Sequence, residues 1–344
     1  MRNLRVWLVA VALLAVILAG FLFLRGPTPV IHLAAEPIFE VGPVAVTNSM
    51  ITSWIVTALI ILGAWVAGRG AALVPRGFTN LVEAGLELFL NLVEQVAGRE
   101  NGRRFFPVVA TIFIYVLLNN WFGLLPGVNT IGKVHEEHHG AVFETTSVAG
   151  VDVAYIPPNP DEVEEAEGAA AEGHGEEAAH EEEGRTIGEV VPFLRPTNTD
   201  INAPLALAVA AVLFVQYWGV SALGVLGYGS KFFNFGNLLR GRVVDGIIDV
   251  FVGFLELVSE LARMVSFTFR LFGNMFAGEV LLLVMGFLAP LVVVDIFYGL
   301  ELFVGFIQAF IFAMLTLVFG VMAVAHHGGG HHEEEHGHGA EEHA

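Results

Sequence analysis

Arg270 stands inside an apolar run that extends with few breaks over residues 246–325. A charge at bilayer depth is costly, and arginine does not give up its proton in proteins, so this run carries a fixed positive charge that needs a reason. Arg263, one heptad earlier, has Glu260 at i−3 and Glu256 at i−7 and is expected to pair within its own helix. Arg270 has Ser266 at i−4, Phe267 at i−3, Gly273 at i+3 and Asn274 at i+4, with no carboxylate within a turn. On a helix its counter-ion must therefore come from another helix or another chain; the structural alternative is an arginine that snorkels or pairs inside its own fold. Gly273, Ala277 and Gly278 are small and let a second helix approach closely.

The same run holds Glu256, Glu260, Glu279, Asp295, Glu301 and Gln308. Glu279 follows Arg270 by nine positions. At ~100° per residue that is half a turn out of phase, so the helix offers a cation to one side and a carboxylate to the other. Glu301 and Gln308 are seven apart and share a face. Polar and acidic residues in series along membrane helices mark ion or proton routes. Groups that merely satisfy one another are the bland alternative, and an excess of acids over cations argues against it.

These residues need membrane helices to position them. The chain has 344 residues, 55% of them hydrophobic, which is a membrane composition. A first apolar run over 6–24 lies between Arg5 and Arg25. It is ~28 Å long as a helix, enough to cross a bilayer, and is read as a retained anchor rather than a cleaved signal sequence. Arg2 and Arg5 favour an inside N-terminus. A second span is expected over 49–67, followed by Arg69, Arg76, Arg99, Arg103 and Arg104. Between them Asn80, Glu83, Glu87, Asn91 and Glu94 oppose Phe78, Val82, Phe89, Val93 and Val96, the pattern of an amphipathic helix along the membrane surface. A third span over 105–125 ends in two amides, Asn119 and Asn120, and a fourth covers 203–226. Lys231, Arg240 and Arg242 then mark an inside loop, before two long helices over 246–288 and 291–325 separated near Pro290. Both exceed the ~20 residues a span needs and must tilt or lie partly along the membrane. The expected fold is an all-α polytopic membrane protein with about five core membrane helices, an extra N-terminal span and a long tilted C-terminal helical hairpin.

The division that follows is an anchor or signal and connector (1–47), first core spans with the surface helix (48–128), an external loop (129–200), the core carrying Arg270 (201–325) and a tail (326–344). The loop contains an acidic block over 161–183, which repels itself, buries little and is expected to be largely disordered. Its net charge accounts for much of the formal −19 of the chain, which argues against nucleic-acid binding. There are no cysteines, hence no disulfides or thiol chemistry. The thirteen histidines are His32, loop residues 135, 138, 139, 174 and 180, and tail residues 326, 327, 331, 332, 336, 338 and 343. None is in mid-span, so neither a resident metal nor any other cofactor is expected.

The segment Arg270-Leu271-Phe272-Gly273-Asn274-Met275-Phe276-Ala277-Gly278-Glu279, followed 29 residues later by Gln308-Ala309-Phe310-Ile311-Phe312, closely resembles subunit a of the F-type ATP synthase membrane sector. Asn120-Trp121-Phe122-Gly123-Leu124-Leu125-Pro126 and Pro196-Thr197-Asn198-Thr199-Asp200-Ile201-Asn202 are similar to two further motifs of that family, and the likeness covers roughly 45–130 and 190–325. The resemblance implies a non-catalytic, proton-conducting stator subunit in a bacterial-type plasma membrane. Two offset aqueous half-channels would enter it from opposite faces, and a ring of c subunits, each with one mid-membrane carboxyl, would rotate past it. Partners implied are the c-ring, the b-subunit peripheral stalk and the rest of the synthase, within the lipid bilayer. Arg270 matches the essential arginine that faces the ring carboxylate, and Asn274 and Gln308 match rotor-facing positions. Glu279 and Glu301 match the pair of the outside half-channel, and Glu256 and Ser266 match positions of the inside route.

Two departures stand out. Many relatives hold one acid and one histidine where this chain has Glu279 and Glu301, and two close carboxylates tend to share a proton. Gly123 stands where some relatives have an acid. The acidic loop is expected to concentrate cations, protons included, near the outside entrance. A stand-alone secondary transporter that binds an anion at Arg270 is the rival reading; the lack of matched halves in the sequence counts against it.

Overall fold

The structure, a computed structural model, describes residues 34–70, 76–148, 151–155, 185–232, 242–289 and 292–325, with scattered positions between 7 and 18. The expected N-terminal span lies outside the described residues apart from those scattered positions, and the acidic block and the histidine-rich tail lie wholly outside them.

Among the described residues, five helices are long and apolar enough to cross a membrane. They are α1 (Asn48–Arg69), α2 (Phe78–Phe122), α3 (Asn202–Gly229), α4 (Val243–Leu288) and α5 (Val292–Val324). The protein is therefore an integral, multi-pass helical membrane protein, with spans where the apolar runs put them. Thr47 caps α1 by accepting a hydrogen bond from the Met50 amide at 3.4 Å. The flanks of α1 carry exposed Trp54, Leu59, Ile61, Leu62 and Trp65, an apolar surface suited to lipid.

Gly98 interrupts α2 with φ 74° and ψ 164°, a conformation that a side chain would oppose. The chain folds back there. Phe89 and Phe113 would be ~36 Å apart along a straight helix, yet their rings stack at 4.7 Å. Arg103 Nε donates to Glu94 Oε1 at 2.7 Å across the same bend. The amphipathic segment read from the sequence as a surface helix is thus the first arm of a hairpin. Its Phe89, Val93 and Ala97 are buried within the bundle, whereas Phe78 and Val96 are exposed.

The core lies between the second arm of α2, α3, α4 and α5. Small residues permit close packing: Ala208 and Ala211 on α3 and Ala309 and Ala313 on α5 are fully or almost fully buried. Trp218 stacks on Phe105 with centroids 4.2 Å apart, and its ring covers Gly320, where any Cβ would meet it at 2.7 Å.

The loop over 129–200 is not featureless. A hairpin, β1 (Pro37–Val41) and β2 (Val44–Thr47), precedes α1. Strands β3 (Gly132–Val148), β4 (Val151–Tyr155) and β5 (Arg185–Pro192) form an antiparallel sheet in the order β4-β3-β5. The acidic block expected to be disordered lies outside the described residues, and the strands lie at the two ends of the loop. The acids of 161–183 dominated its average composition and hid the β-branched and aromatic residues at its ends, among them Val134, Val142, the buried Phe143, Val153, Val190 and Val191. After β5 a 3₁₀ turn, Thr197–Thr199, dips into the bundle and is buried.

Candidate functional site

Three polar stations lie along α4. At the first, Glu256 pairs with Lys231 Nζ at 2.8 Å and stands 3.9 Å from Arg263, which also holds Glu260 at 2.6 Å. The pairing of Arg263 within its own helix is as the spacing predicted. Arg263 also lies over the Phe319 ring at 4.6 Å, so its charge is fully engaged.

At the second station Ser266, Arg270 and Asn274 follow one another at i+4. Phe267, Leu271 and Met275 point into the core, which turns the Ser266–Arg270–Asn274 stripe away from it. Ser266 and Asn274 are exposed and Arg270 is half-buried. Among the described residues Arg270 has no hydrogen-bond or ion-pair partner. Asn274 Nδ2 donates to Gln308 Oε1 at 2.7 Å. Gln308 is 2% exposed, and its Nε2 is buried without an acceptor among the described residues. This face of α4 therefore presents a cation, the Asn274 amide and the small Gly273 and Ala277, which no described element of the chain covers.

At the third station Glu279 and Glu301 share a cavity of about 150 Å³. Asn119, Asn120, Asn129, Asn198, Thr199 and Tyr298 contribute polar lining. A cavity this large, with several polar groups in its wall, has room for several waters. Glu301 is 4% exposed and sits against Gly278, where a Cβ would collide with all three atoms of its carboxyl group. Glu279 Oε1 accepts from Asn129 Nδ2 at 2.6 Å, and its Oε2 is 3.5 Å from Arg195. The two sides of α4 divide as the half-turn phase required, with Glu279 in the cavity and Arg270 on the uncovered face.

The two further motifs build the cavity wall. Asn120 Nδ2 donates to the Gly305 carbonyl at 3.1 Å, and Trp121 Nε1 donates to the Leu302 carbonyl at 3.0 Å, fixing α5 over the turn that immediately follows Glu301. Asn198 Nδ2 donates to Asn120 Oδ1 at 2.6 Å. A Cβ at Gly123 would strike the Pro196 ring, so the glycine lets the 196–202 motif close onto α2. Below it, Asp200 accepts from Ser49 Oγ at 2.9 Å and from both Asn202 nitrogens, tying α1 and α3 to the same knot.

The structure thus brings Arg270, Asn274 and Gln308 together, and Glu279 with Glu301. Glu256 belongs to a separate charged cluster, and Ser266 makes no hydrogen bond among the described residues. Sequence reasoning missed Arg195 and Asn129, whereas Asn119 and Asn120 were marked as amides at the end of a span. The one signal for Arg195 is that it immediately precedes the Pro196 motif.

A multi-pass helical membrane protein with two glutamates lining one cavity, and an arginine on an open face without a partner among the described residues, has the features of the class built to move ions. The family model described as ATP synthase A chain matches residues 50–320. The chain belongs to that family. Similar curated proteins include an ATP synthase subunit a of Moorella thermoacetica, 25% identical over 290 residues, 84% of this chain and 95% of the relative. Others are the ATP synthase subunit a of Campylobacter jejuni subsp. doylei, 28% identical over 77% of this chain and 84% of the relative, and the ATP synthase subunit a 3 of Pelobacter propionicus, 28% identical over 80% and 87%.

Proposed function

We propose that this protein is the proton-conducting, non-catalytic stator subunit of an F-type ATP synthase in a bacterial-type plasma membrane, partnered by a c-subunit ring and a b-subunit peripheral stalk. The carrying observation is Arg270, a half-buried membrane cation without a partner among the described residues, on a helix face that no described element covers. A fixed cation there favours the ionised form of a carboxyl on a passing helix and blocks direct proton flow past it. Asn274, hydrogen-bonded to Gln308, extends the same surface and orients it toward the ring.

Protons enter or leave on one side through the cavity of Glu279 and Glu301. On the other side Glu256 and Ser266 lie along the remaining route, with Lys231 and Arg263 around Glu256. The offset between these routes along α4 obliges protons to travel on the ring, and that obligation couples their flow to rotation and ATP synthesis.

The test is ATP-driven acidification of inverted vesicles containing the assembled complex, with Arg270→Ala beside the unmodified protein. Loss of pumping with assembly intact is expected. Pumping at the unmodified rate overturns the mechanism.

A further inference from the structure

We propose that Arg195 is a positioning residue for Glu279, holding its carboxylate at the cavity wall from the base of the extramembrane sheet. The proposal rests on the reading of the cavity as a proton route.

Both groups that hold Glu279 come from outside the helices. Asn129 donates to one carboxylate oxygen at 2.6 Å, and Arg195 stands 3.5 Å from the other. The Arg195 side chain is 5% exposed and that of Glu279 12%, so solvent does little to screen the pair. The two holders are locked to each other. The Asn129 amide donates to the Leu194 carbonyl at 2.9 Å, and the Phe193 amide donates to the Ile131 carbonyl at 3.0 Å. These bonds continue the β3–β5 ladder beyond its Gly132–Pro192 pair. Asn129 adopts φ 63°, a left-handed conformation that asparagine tolerates better than most side chains, and this aims its amide at the carboxylate. Arg195 is anchored at its far side by donating from Nη1 to the Ala34 carbonyl at 2.7 Å, just before β1.

The sheet base is therefore a jig. Two strand ends in fixed register present an amide and a guanidinium to the two oxygens of one carboxylate. A carboxylate on a long side chain facing a cavity with room for several waters has rotamers to spare, and the jig selects one of them. Of the titratable groups lining the cavity, Glu301 and Tyr298 both belong to α5. Arg195 is thus the cation that reaches Glu279 from the packed elements described.

The experiment measures passive proton conduction and its pH profile in vesicles carrying the membrane sector stripped of its catalytic head, with the pH on each side varied in turn. The variants are Arg195→Gln, Arg195→Lys and Glu279→Gln. Arg195→Gln is expected to lower conduction roughly tenfold or more, as displacements of about 1 Å do, and to move the pH midpoint on one side only. Arg195→Lys keeps the charge and should retain most of the conduction. Equal impairment of both variants with an unmoved midpoint overturns the proposal, as does conduction at the unmodified rate in both. If Arg195→Gln does not assemble, Arg195→Lys decides. Its ammonium cannot copy the guanidinium fork, so a displaced midpoint supports the proposal and an unchanged one overturns it. Unmodified conduction in Glu279→Gln would instead remove the cavity from the proton route, a separate failure.

Discussion

Replacing Gly278 with alanine adds one methyl group where the Glu301 carboxyl already sits. All three carboxyl atoms lie inside contact distance of that methyl. To restore a separation of ~3.5 Å the carboxyl must retreat by about 1 Å. The obstructing atoms are the end of a flexible side chain, so rotation of Glu301 relieves the clash without moving backbone. Alanine also gains about 1 kcal/mol of helix propensity over glycine. Stability and assembly should therefore survive while the carboxyl leaves its seat. A misplacement of that size in a proton relay is expected to cut transport roughly 10- to 100-fold. Gly286 on the same helix is the control, because a Cβ there meets nothing within 4 Å. The assay is ATP-driven acidification of inverted vesicles, normalised to assembled complex by immunoblot. If Gly278→Ala pumps as fast as Gly286→Ala, the position of the Glu301 carboxyl does not matter, and its place in the route is refuted.

Asn120→Ala and Asn198→Ala, singly and together, should show a coupling of about 0.6–1.7 kcal/mol for their shared 2.6 Å bond; additive losses in the denaturation midpoint would deny that bond any energetic role. Trp218→Ala removes a ring that is 3% exposed and packed on Phe105 and Gly320. It should cost roughly 3 kcal/mol, read as a lowered unfolding temperature in detergent. Arg103→Ala breaks a pair whose arginine side chain is 58% exposed, so less than about 1 kcal/mol is expected. A large loss there would mean that the α2 hairpin depends on the pair rather than on the Phe89–Phe113 packing.

The sequence was informative wherever the bilayer imposes a one-dimensional rule. Apolar runs had to be helices, because lipid offers backbone groups no other partner, and four of the five described spans follow those runs to within a few residues, while the run over 105–125 is the end of a helix that begins at Phe78. The lack of a local partner for Arg270 was legible from its i±3 and i±4 neighbours, and the opposition of Glu279 followed from helical phase. The sheet was less visible, since a composition averaged over 129–200 is governed by the acids of 161–183. The α2 hairpin was hidden as well. An amphipathic face looks the same whether it meets a membrane surface or another helix, and one glycine at φ 74° folds this one back onto the second arm of α2.

Sequence fixes what is local: how long a span must be, which face a residue occupies and which charge has no neighbour to satisfy it. Partnerships across 84 and 150 positions, Arg195 and Asn129 with Glu279, have no local signature. They exist because a strand ladder and a helix bundle close on each other, and that closure depends on packing summed over the whole chain. The cavity is of the same kind, a gap left where Gly123, Gly278 and Gly305 let three elements approach while the side chains of Glu279 and Glu301 keep them from meeting completely.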